Sequence, residues 1–437
     1  MPDLSRFSAA AARGASLVVE GRLSEAVGLV LEARGCAASI GDLYEMHPPH
    51  GRAVEAEVVG LRGDRTLLMP LGKTQGLEVG TPLRRVGRAA LAKVGDELLG
   101  RVLDGLGRPL DDRPPPRLEQ TRALHGMSAN PLRRRPVDTP FHVGVRAIDG
   151  LLTMGRGQRI GIFAGGGVGK SSLLGMMVRH ARADVAVVAL IGERGREVEE
   201  FVHRTLDAEG RARSVVVAAT SADTPLVRVR GALYATTIAE HFRAQGKQVL
   251  LVMDSLTRFA MAMREIGLAV GEPPTTKGYT PTVFAALPQL LERAGNDASR
   301  GSITGVYTVL VEGDDLTDPI ADSVRAILDG HVVLSRQLAE RGHFPAIDVA
   351  GSVSRVMTQV VDAPHRELAI RARELLADAR ELEDLLSIGA YQKGSLSRLD
   401  EAMERHPALL AFLRQGLEEE VAPEQIRRRL EEIWSGR

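Results

Sequence analysis

The 437-residue sequence is poor in several residue types and patterns, and each shortage excludes a class of protein. Its single cysteine, Cys36, allows no internal disulfide, and no Cys/His group has the spacing of zinc ligands. No apolar run reaches the roughly 18 residues that a membrane-spanning helix needs. The opening residues, MPDLSRFSAAAARG, lack the hydrophobic centre of a signal peptide. These features predict a soluble, cytoplasmic protein.

Charge and aromatic content argue against two kinds of partner. Lys and Arg number 56, Asp and Glu also number 56, and the formal net charge is zero. A protein that coats nucleic acid or binds an anionic membrane needs a surplus of basic residues. Aromatic residues make up 3% of the chain, and residues 15–85 contain only Tyr44, although single-stranded RNA is bound by aromatic stacking. We therefore expect no nucleic-acid partner.

The sequence divides into three regions of different pattern. Residues 1–85 hold short apolar segments separated by Gly, Pro and charged residues, which predicts a small β-barrel. Residues 86–363 alternate near-continuous Val/Ile/Leu runs with helical stretches, which predicts a mostly parallel sheet covered on both faces. Residues 364–437 repeat leucine at helical spacing and predict a helical domain. The predicted barrel strands are 16–20, 27–32, 53–61 and 66–69, and the predicted sheet strands are 159–163, 185–191, 214–219, 249–253 and 304–310.

The strongest local signal is the segment AGGGVGKS, Ala164–Ser171. It follows a predicted strand and precedes a predicted helix, which is the setting of a phosphate-binding loop. Glycines let several backbone N–H groups converge on one anion, and the helix N-terminus adds its positive dipole end. Lys170 is expected to reach the β- and γ-phosphates of ATP, and the Ser171 hydroxyl to ligate Mg²⁺. Ala164 stands where the usual pattern has Gly, but the inner glycines remain. The predicted ATP contacts are Gly165, Gly166, Gly167, Val168, Gly169, Lys170, Ser171 and Ser172.

Two other predicted strands end at acidic residues that suit the same chemistry. Strand 249–253 leads into Asp254, which places a carboxylate at the carboxyl edge of the sheet, where it can hold Mg²⁺ through water. Strand 185–191 is followed by Glu193, at the right end of a neighbouring strand to orient an attacking water. The alternatives are a turn signal for Asp254 and a solvated charge run before a helix for Glu193.

Longer motifs carry a specific resemblance. GERGREVEEF (192–201), LLVMDSLTRFA (250–260), GEPPTTKGYTP (271–281), EGDDLTDPIAD (312–322) and LDGHVVLSRQLAERGHFPAID (328–348) resemble the ATPases of bacterial type III protein export. That family includes the flagellar export ATPase and its injectisome counterparts, and it is similar to the catalytic subunit of rotary ATP synthases. The resemblance covers nearly the whole chain. It implies an α/β fold with a P-loop (RecA-like) core, an N-terminal barrel and a helical tail.

The resemblance also implies catalytic roles for individual residues. Glu193 would polarise the attacking water, Arg194 would contact phosphate, and Glu197 would order water around Mg²⁺. Arg355 matches an arginine finger that acts on the nucleotide of the adjacent subunit, where a guanidinium can be worth roughly 10³–10⁵ in rate. A surface arginine on a Ser-rich turn is the alternative for Arg355.

Two aromatic residues are expected near the adenine base of ATP. Phe344 matches a position that stacks on adenine and is often Tyr in relatives, and core packing is the alternative. Tyr391, in GAYQKG, lies in a segment that the resemblance places beside the base.

By the same resemblance, the protein is a cytoplasmic homohexamer, peripheral at the inner face of the cytoplasmic membrane. ATP hydrolysis would release export substrates from chaperones and unfold them at the export gate. The N-terminal region would serve oligomerisation and contact a stator-like regulator, and the helical tail would contact a stalk protein and chaperone–cargo complexes. The alternatives are a subunit of a rotary proton-translocating ATPase, which EGDDLTDPIAD argues against, and a ring-shaped RNA translocase. Flagellar and injectisome membership stay open.

The triplet Arg133–Arg135 belongs to none of these motifs. We interpret it as a solvated linker, with contact to anionic lipid or a partner as the alternative.

Overall fold

The computed structural model describes residues 21–88, 91–126, 130–298, 300–311, 313, 315, 317–394 and 396–435. The predicted strand 16–20 and the N-terminal segment expected to contact a regulator lie outside the described residues. The described residues form two compact units: one comprises those up to Leu91 with 224–226 and 265–273, and the other comprises the remaining described residues. None of the described helices combines the length and apolar character that crossing a bilayer requires.

The first unit is a closed barrel of six described strands in the order β1-β2-β5-β4-β3-β6. Its interior packs Leu23, Tyr44, Met46 and Leu68, none of them more than 1% exposed. The predicted strand 27–32 is wrong, because Gly28 has a φ of 59° and makes the turn between two strands. The strands are β1 Gly21–Val27, β2 Val30–Arg34, β3 Asp42–Met46, β4 Val54–Arg62, β5 Arg65–Pro70 and β6 Pro82–Arg88.

The second unit is built on a sheet of nine described strands in the order β19-β18-β12-β17-β15-β13-β14-β8, with β16 paired to β17. Its strands are parallel except β16 and β19, which run antiparallel to their neighbours. The five strands predicted for this sheet are all confirmed, and the other four, β8, β16, β18 and β19, were not predicted. The remaining strands are β7 Leu91–Val94, β8 Arg101–Asp104, β9 Gln120–Ala123, β10 Pro140–Phe141, β11 Met154–Gly155, β12 Arg159–Ala164, β13 Val185–Ile191, β14 Ser214–Ala219, β15 Gln248–Asp254, β16 Gly295–Asn296, β17 Ser302–Leu310, β18 Gly330–Leu334 and β19 Ile347–Ser354.

Helices cover the sheet, and strands such as β13 and β14 are therefore buried along their whole length. Those before the tail are α1 Arg146–Leu151, α2 Lys170–His180, α3 Gly195–Glu200, α4 Ala208–Ala212, α5 Pro225–Ala244, α6 Leu256–Ala269, α7 Pro281–Leu291, α8 Pro319–Ile327, α9 Arg336–Glu340 and α10 Met357–Val360.

The tail forms three helices: α11 Ala363–Ser387, α12 Ser397–Leu413 and α13 Pro423–Ser435. Leu375, Phe412 and Leu430 belong to the same buried core as strand β12 and helix α1. The tail therefore lies in one compact unit with the parallel sheet, although its sequence pattern sets it apart.

The prediction that the arginine triplet is a solvated linker is wrong for Arg134 and Arg135, whereas Arg133 is exposed. Arg134 donates hydrogen bonds to the carbonyls of Glu292 and Ala294, and Arg135 to those of Asp297 and Gly301. Carbonyls in the turn after α7 need donors, and these two side chains supply them. The two arginines thus fasten the chain before β10 to the segment around β16.

Candidate active site

The loop 165–169 joins β12, which lies between β17 and β18, to helix α2. Gly167 and Gly169 have φ values of 79° and 89°, which a side chain would disfavour. A Cβ atom added at Gly166 or Gly167 would meet no atom within 4 Å, so the loop faces open space. Ala164 is the last, buried residue of β12, where an ordinary strand conformation accepts alanine in place of glycine. The loop keeps the backbone geometry of a phosphate cradle.

Lys170, Glu193 and Asp254 meet at the carboxyl edge of the sheet. Lys170 Nζ lies 2.5 Å from Asp254 Oδ1 and 3.5 Å from Glu193 Oε1. The same Oδ1 accepts a hydrogen bond of 2.6 Å from Thr308, a residue of β17 that the sequence did not single out. β13 and β15 are adjacent parallel strands, which is why the residues that follow them converge. The structure therefore brings together the three charged residues predicted from separate motifs.

Glu193 has the environment of a proton acceptor near neutral pH. Burial, the hydrogen bond with Glu197 and the charge of Asp254 raise its pKa to about 8, against the opposing charge of Lys170. Its Oε1 is buried and accepts no hydrogen bond from any described residue. The hydrogen bond with Glu193 lowers the pKa of Glu197, whose Oε2 also accepts the backbone N–H of Arg194 at 3.2 Å. The bond between the two carboxyls therefore shifts their pKa values in opposite directions, upward for Glu193 and downward for Glu197.

A cavity of about 880 Å³ opens beside these residues. The phosphate loop, Ser171, Ser172, Glu193, Arg194 and Glu197 line it. Four cationic side chains for which the sequence predicted no role also line it, although three of them lie in the quoted motifs. These cations are Arg258, Arg264, Lys277 and Arg336.

Two of the missed cations are held in place by their neighbours. The guanidinium of Arg264 lies 5.2 Å from the centre of the Tyr279 ring, and Lys277 Nζ lies 3.0 Å from Asp318 Oδ2. A cavity with a backbone cradle at one end and several cations around it suits a polyanion such as a nucleoside triphosphate.

The donors for a divalent cation are a hydroxyl and carboxylates. Among the described residues, no group of three or more His, Cys, Asp or Glu side chains forms a metal cage. Mg²⁺ bound with phosphates does not need one, because phosphate and water oxygens fill most of its coordination sphere. Ser171, in the first turn of α2, and Glu197 line the cavity, and Asp254 is bonded to Lys170, which also lines it. All three side chains are hard oxygen donors, and they fit such an ion.

Phe344 lies beside the phosphate loop. It is 44% exposed, and a Cβ added at Gly169 would lie 3.4 Å from its ring. This exposure argues against the core-packing alternative. Tyr391 is not among the residues that line the cavity; it lies between α11 and α12, and its hydroxyl donates to Asp400 Oδ1 at 2.5 Å. Its role at the base stays a prediction.

Arg355 lies at the opposite, amino edge of the sheet. It follows β19, its N–H donates to the carbonyl of Asp329 at 3.0 Å, and Asp329 in turn bonds the first residue of β12, Arg159. The six residues of β12 separate this point from the phosphate loop by on the order of 15–20 Å. That distance exceeds the reach of an arginine side chain, so Arg355 cannot contact phosphates bound in its own loop.

Comparison with known proteins gives consistent matches along the chain. Residues 144–354 match the nucleotide-binding domain of the ATP synthase alpha/beta family, and residues 23–87 match the beta-barrel domain of that family. Residues 361–432 match the C-terminal domain of the T3SS EscN ATPase.

Whole-chain relatives agree with these matches. The flagellum-specific ATP synthase of Pseudomonas aeruginosa is 53% identical, over 99% of this chain and 97% of its own. The type 3 secretion system ATPase of Sinorhizobium fredii is 51% identical, over 96% and 93%. The assembled ATPase EscN of enteropathogenic E. coli, solved in complex with its central stalk EscO, superposes with a TM-score of 0.88 at 45% identity, covering 94% of this chain and 99% of that one.

Proposed function

The chain belongs to the ATP synthase alpha/beta family and, within it, to the flagellar and type III secretion ATPases, and we propose that it works as a homohexameric ring with active sites shared between neighbouring subunits. The observation that carries the proposal is the position of Arg355, at the sheet edge opposite the phosphate loop of its own chain. A contact between unlike edges of two subunits would bring loop and finger together, and repeated head-to-tail contacts close into rings.

Within each site, the residues of this chain would divide the work. The amides of 165–169 and Lys170 hold the β- and γ-phosphates, and Arg194 with the other cations of the cavity orients the triphosphate. Glu193 accepts a hydrogen bond from the attacking water and takes up its proton. Mg²⁺, held by Ser171 and through water by Asp254 and Glu197, would neutralise charge on the phosphate oxygens. Arg355 of the neighbour would stabilise the charge that spreads over the γ-phosphoryl group.

The site would also favour a nucleotide over a bare triphosphate. Phe344 presents an exposed ring beside Gly169, where it would stack on adenine. Phenylalanine keeps the stacking surface that tyrosine would offer and lacks the hydroxyl.

We assign the hydrolysis to protein export through a flagellar or injectisome apparatus. The names of relatives support this assignment, since two that match over nearly the whole chain are called a flagellum-specific ATP synthase and a type 3 secretion system ATPase. ATP turnover would release cargo from its chaperone and unfold it at the export gate, with the protein peripheral at the inner face of the cytoplasmic membrane. A stator-like regulator would contact the N-terminal segment.

The helical tail is proposed to contact a stalk protein and chaperone–cargo complexes. EscN, the structural relative, was solved with its central stalk. In this chain, the tip between α11 and α12 exposes apolar side chains that a partner could cover: Leu386, Ile388, Leu396 and Met403.

Subunit mixing tests the shared site. Arg355→Ala should bind ATP in its own loop and lose turnover by about 10³-fold or more, because it cannot act on its neighbour's nucleotide. Lys170→Ala has the complementary defect: its own phosphate loop cannot support hydrolysis, whereas its Arg355 is intact. When the two inactive proteins are mixed from dissociated subunits, interfaces that combine a wild-type loop with a wild-type finger should restore hydrolysis, at about a quarter of the sites or fewer.

Two controls make the result interpretable. Each pure variant must assemble like the wild type by light scattering, and a mixture of Arg355→Ala with wild type must show that subunits exchange. Near-normal turnover by pure Arg355→Ala would overturn the shared site.

A further inference from the structure

Gln415, just after helix α12, is hydrogen-bonded to the segment that carries Phe344. Its backbone N–H donates to the carbonyl oxygen of Phe344 at 3.0 Å. Gln415 is 5% exposed, so water does not compete effectively for this bond. The bond joins the helical tail to the residue whose ring borders Gly169 of the phosphate loop.

The side chain of Gln415 is itself fixed on three sides. Its Oε1 accepts the backbone N–H of Arg146 at 2.8 Å, and its Nε2 donates to the carbonyls of Gly144 and Glu419, both at 2.8 Å. Both hydrogens of the amide and its oxygen are therefore used. A side chain bonded in this way holds its own backbone in one orientation, and with it the N–H that meets Phe344.

Arg146 fastens the main chain around Gln415. It is 4% exposed, and its Nε donates to the carbonyl of Phe412 at 2.7 Å, while its terminal nitrogens bond the carbonyl of Arg414 and the carboxylate of Glu419. Arg146 begins helix α1 in the core, so the turn after α12 is anchored to the nucleotide-binding fold.

We infer that Gln415 is a positioning residue for the nucleotide base: by holding the carbonyl of Phe344, it keeps the ring over the entrance to the phosphate loop. This inference rests on the proposed stacking of Phe344 on adenine. Gln415 does not line the cavity at the phosphate end, so its effect should be confined to ligands that carry a base.

The test separates base binding from phosphate binding. For Gln415→Ala we expect the KM for ATP and the Kd for ADP to rise about 10-fold, with kcat within about twofold, because loss of a contact made equally in ground and transition states raises KM alone. The Ki of inorganic pyrophosphate, which reaches only the phosphate loop, should stay within about twofold. Equal weakening of ADP and pyrophosphate would overturn the inference, since it would mean that Gln415 supports the fold of the loop itself.

A matched control accounts for lost stability. Asn296 is also a buried side-chain amide that bridges two carbonyls, those of Arg135 and Pro136, but it lies at the amino edge of the sheet. Asn296→Ala should lower the melting temperature as Gln415→Ala does and leave the KM for ATP unchanged. If Gln415→Ala does not fold, Gln415→Glu replaces it with the same expectation, because it keeps the shape and the acceptor for Arg146 but loses the donor.

Phe344→Ala separates the proposed base site at Phe344 from the positioning role of Gln415. Base stacking on an aromatic ring predicts a comparable rise in KM for this variant, and the double variant should be no weaker than Phe344→Ala alone, because Gln415 acts through Phe344. An unchanged KM in Phe344→Ala would remove the proposed base site. A raised KM in Phe344→Ala with an unchanged KM in Gln415→Ala would leave the base site standing and overturn only the role of Gln415.

Discussion

The two edges of the central sheet each hold a cation between two carboxylates, and they differ in how completely those groups are bonded. At the amino edge, Arg159 makes bonds of 3.0 and 3.2 Å to the two oxygens of Asp329 and a further bond to Glu292. At the carboxyl edge, Lys170 is a single amine between Asp254 and Glu193, and an oxygen of Glu193 is buried without a hydrogen bond from any described residue.

This difference separates structural charges from functional ones. A planar guanidinium paired at fixed geometry has little capacity left for a ligand, and removing it leaves two carboxylates without their cation. A point charge on a flexible stem, beside a carboxyl whose pKa is raised, can change partners when a ligand arrives. Charge type and burial alone would have marked both edges as candidate sites.

The largest effects are expected when the cation at each edge is removed. Lys170→Ala should leave no measurable hydrolysis in a protein that still folds, because Glu193 borders the open cavity and can take up a proton, and buried Asp254, although it loses its cation, keeps the hydrogen bond from Thr308. Arg159→Ala should cost about 1–3 kcal/mol of unfolding free energy, since it leaves Asp329 and Glu292, which are 29% and 41% exposed, without their shared partner. Denaturant unfolding and steady-state turnover, measured on both proteins, check the two outcomes. Wild-type turnover in Lys170→Ala would contradict the assignment of the carboxyl edge.

A smaller change at the same edge isolates the proton acceptor. Glu193→Gln keeps the shape of the side chain and should still bind Mg-ATP, while turnover falls by about 10²–10⁴-fold because an amide cannot take up a proton. Nucleotide affinity and turnover should be measured together, and Glu197→Gln serves as the neighbouring control with a smaller loss. In cells that express the Glu193→Gln protein at a normal level, protein export should also stop. If affinity and turnover fall together, Glu193 is a binding residue instead.

The mildest test is a pH profile of the unaltered protein. The pKa of Glu193 is raised to about 8, so its carboxyl is mostly protonated below that pH and ionised above it. Since the ionised form accepts the proton of water, kcat/KM for ATP should rise with pH, by up to about tenfold per unit below pH 8, and level off above. An unshifted glutamate would give a profile that is flat from pH 6 upward. Such a flat profile would contradict the protonated Glu193.

The sequence predicted those parts of the site that short motifs specify. The phosphate loop, Asp254 and Glu193 follow apolar strands, and parallel strands bring the residues at their ends to one edge of the sheet. Thr308 and Gln415 could not be found in this way, because their roles depend on bonds across 54 and 71 residues of sequence, to Asp254 and Phe344.

The fold, too, was predicted only where the sequence carries a sustained pattern. Strands buried on both faces, such as β13 and β14, leave a continuous apolar run in the sequence, whereas the barrel hairpin at Gly28 is decided by a single backbone torsion. The edge strand β8 is only four residues long, too short for a pattern to form. The bonds made by Arg134 and Arg135 run to backbone carbonyls, which no sequence motif displays.

The pair between Lys170 and Asp254 makes nucleotide capture an exchange of counter-ions. To reach a phosphate, Lys170 has to leave Asp254, whose side chain is 5% exposed and whose remaining bond among the described residues is the one from Thr308. A buried carboxylate that loses its cation is costly, so the exchange is favourable only when the phosphates bring a positive charge of their own. The pair therefore favours a triphosphate that arrives together with its divalent cation. A bare triphosphate meets a lysine that is already paired with Asp254. With the cation present, Lys170 pairs with phosphate and the positive charge of the cation compensates Asp254.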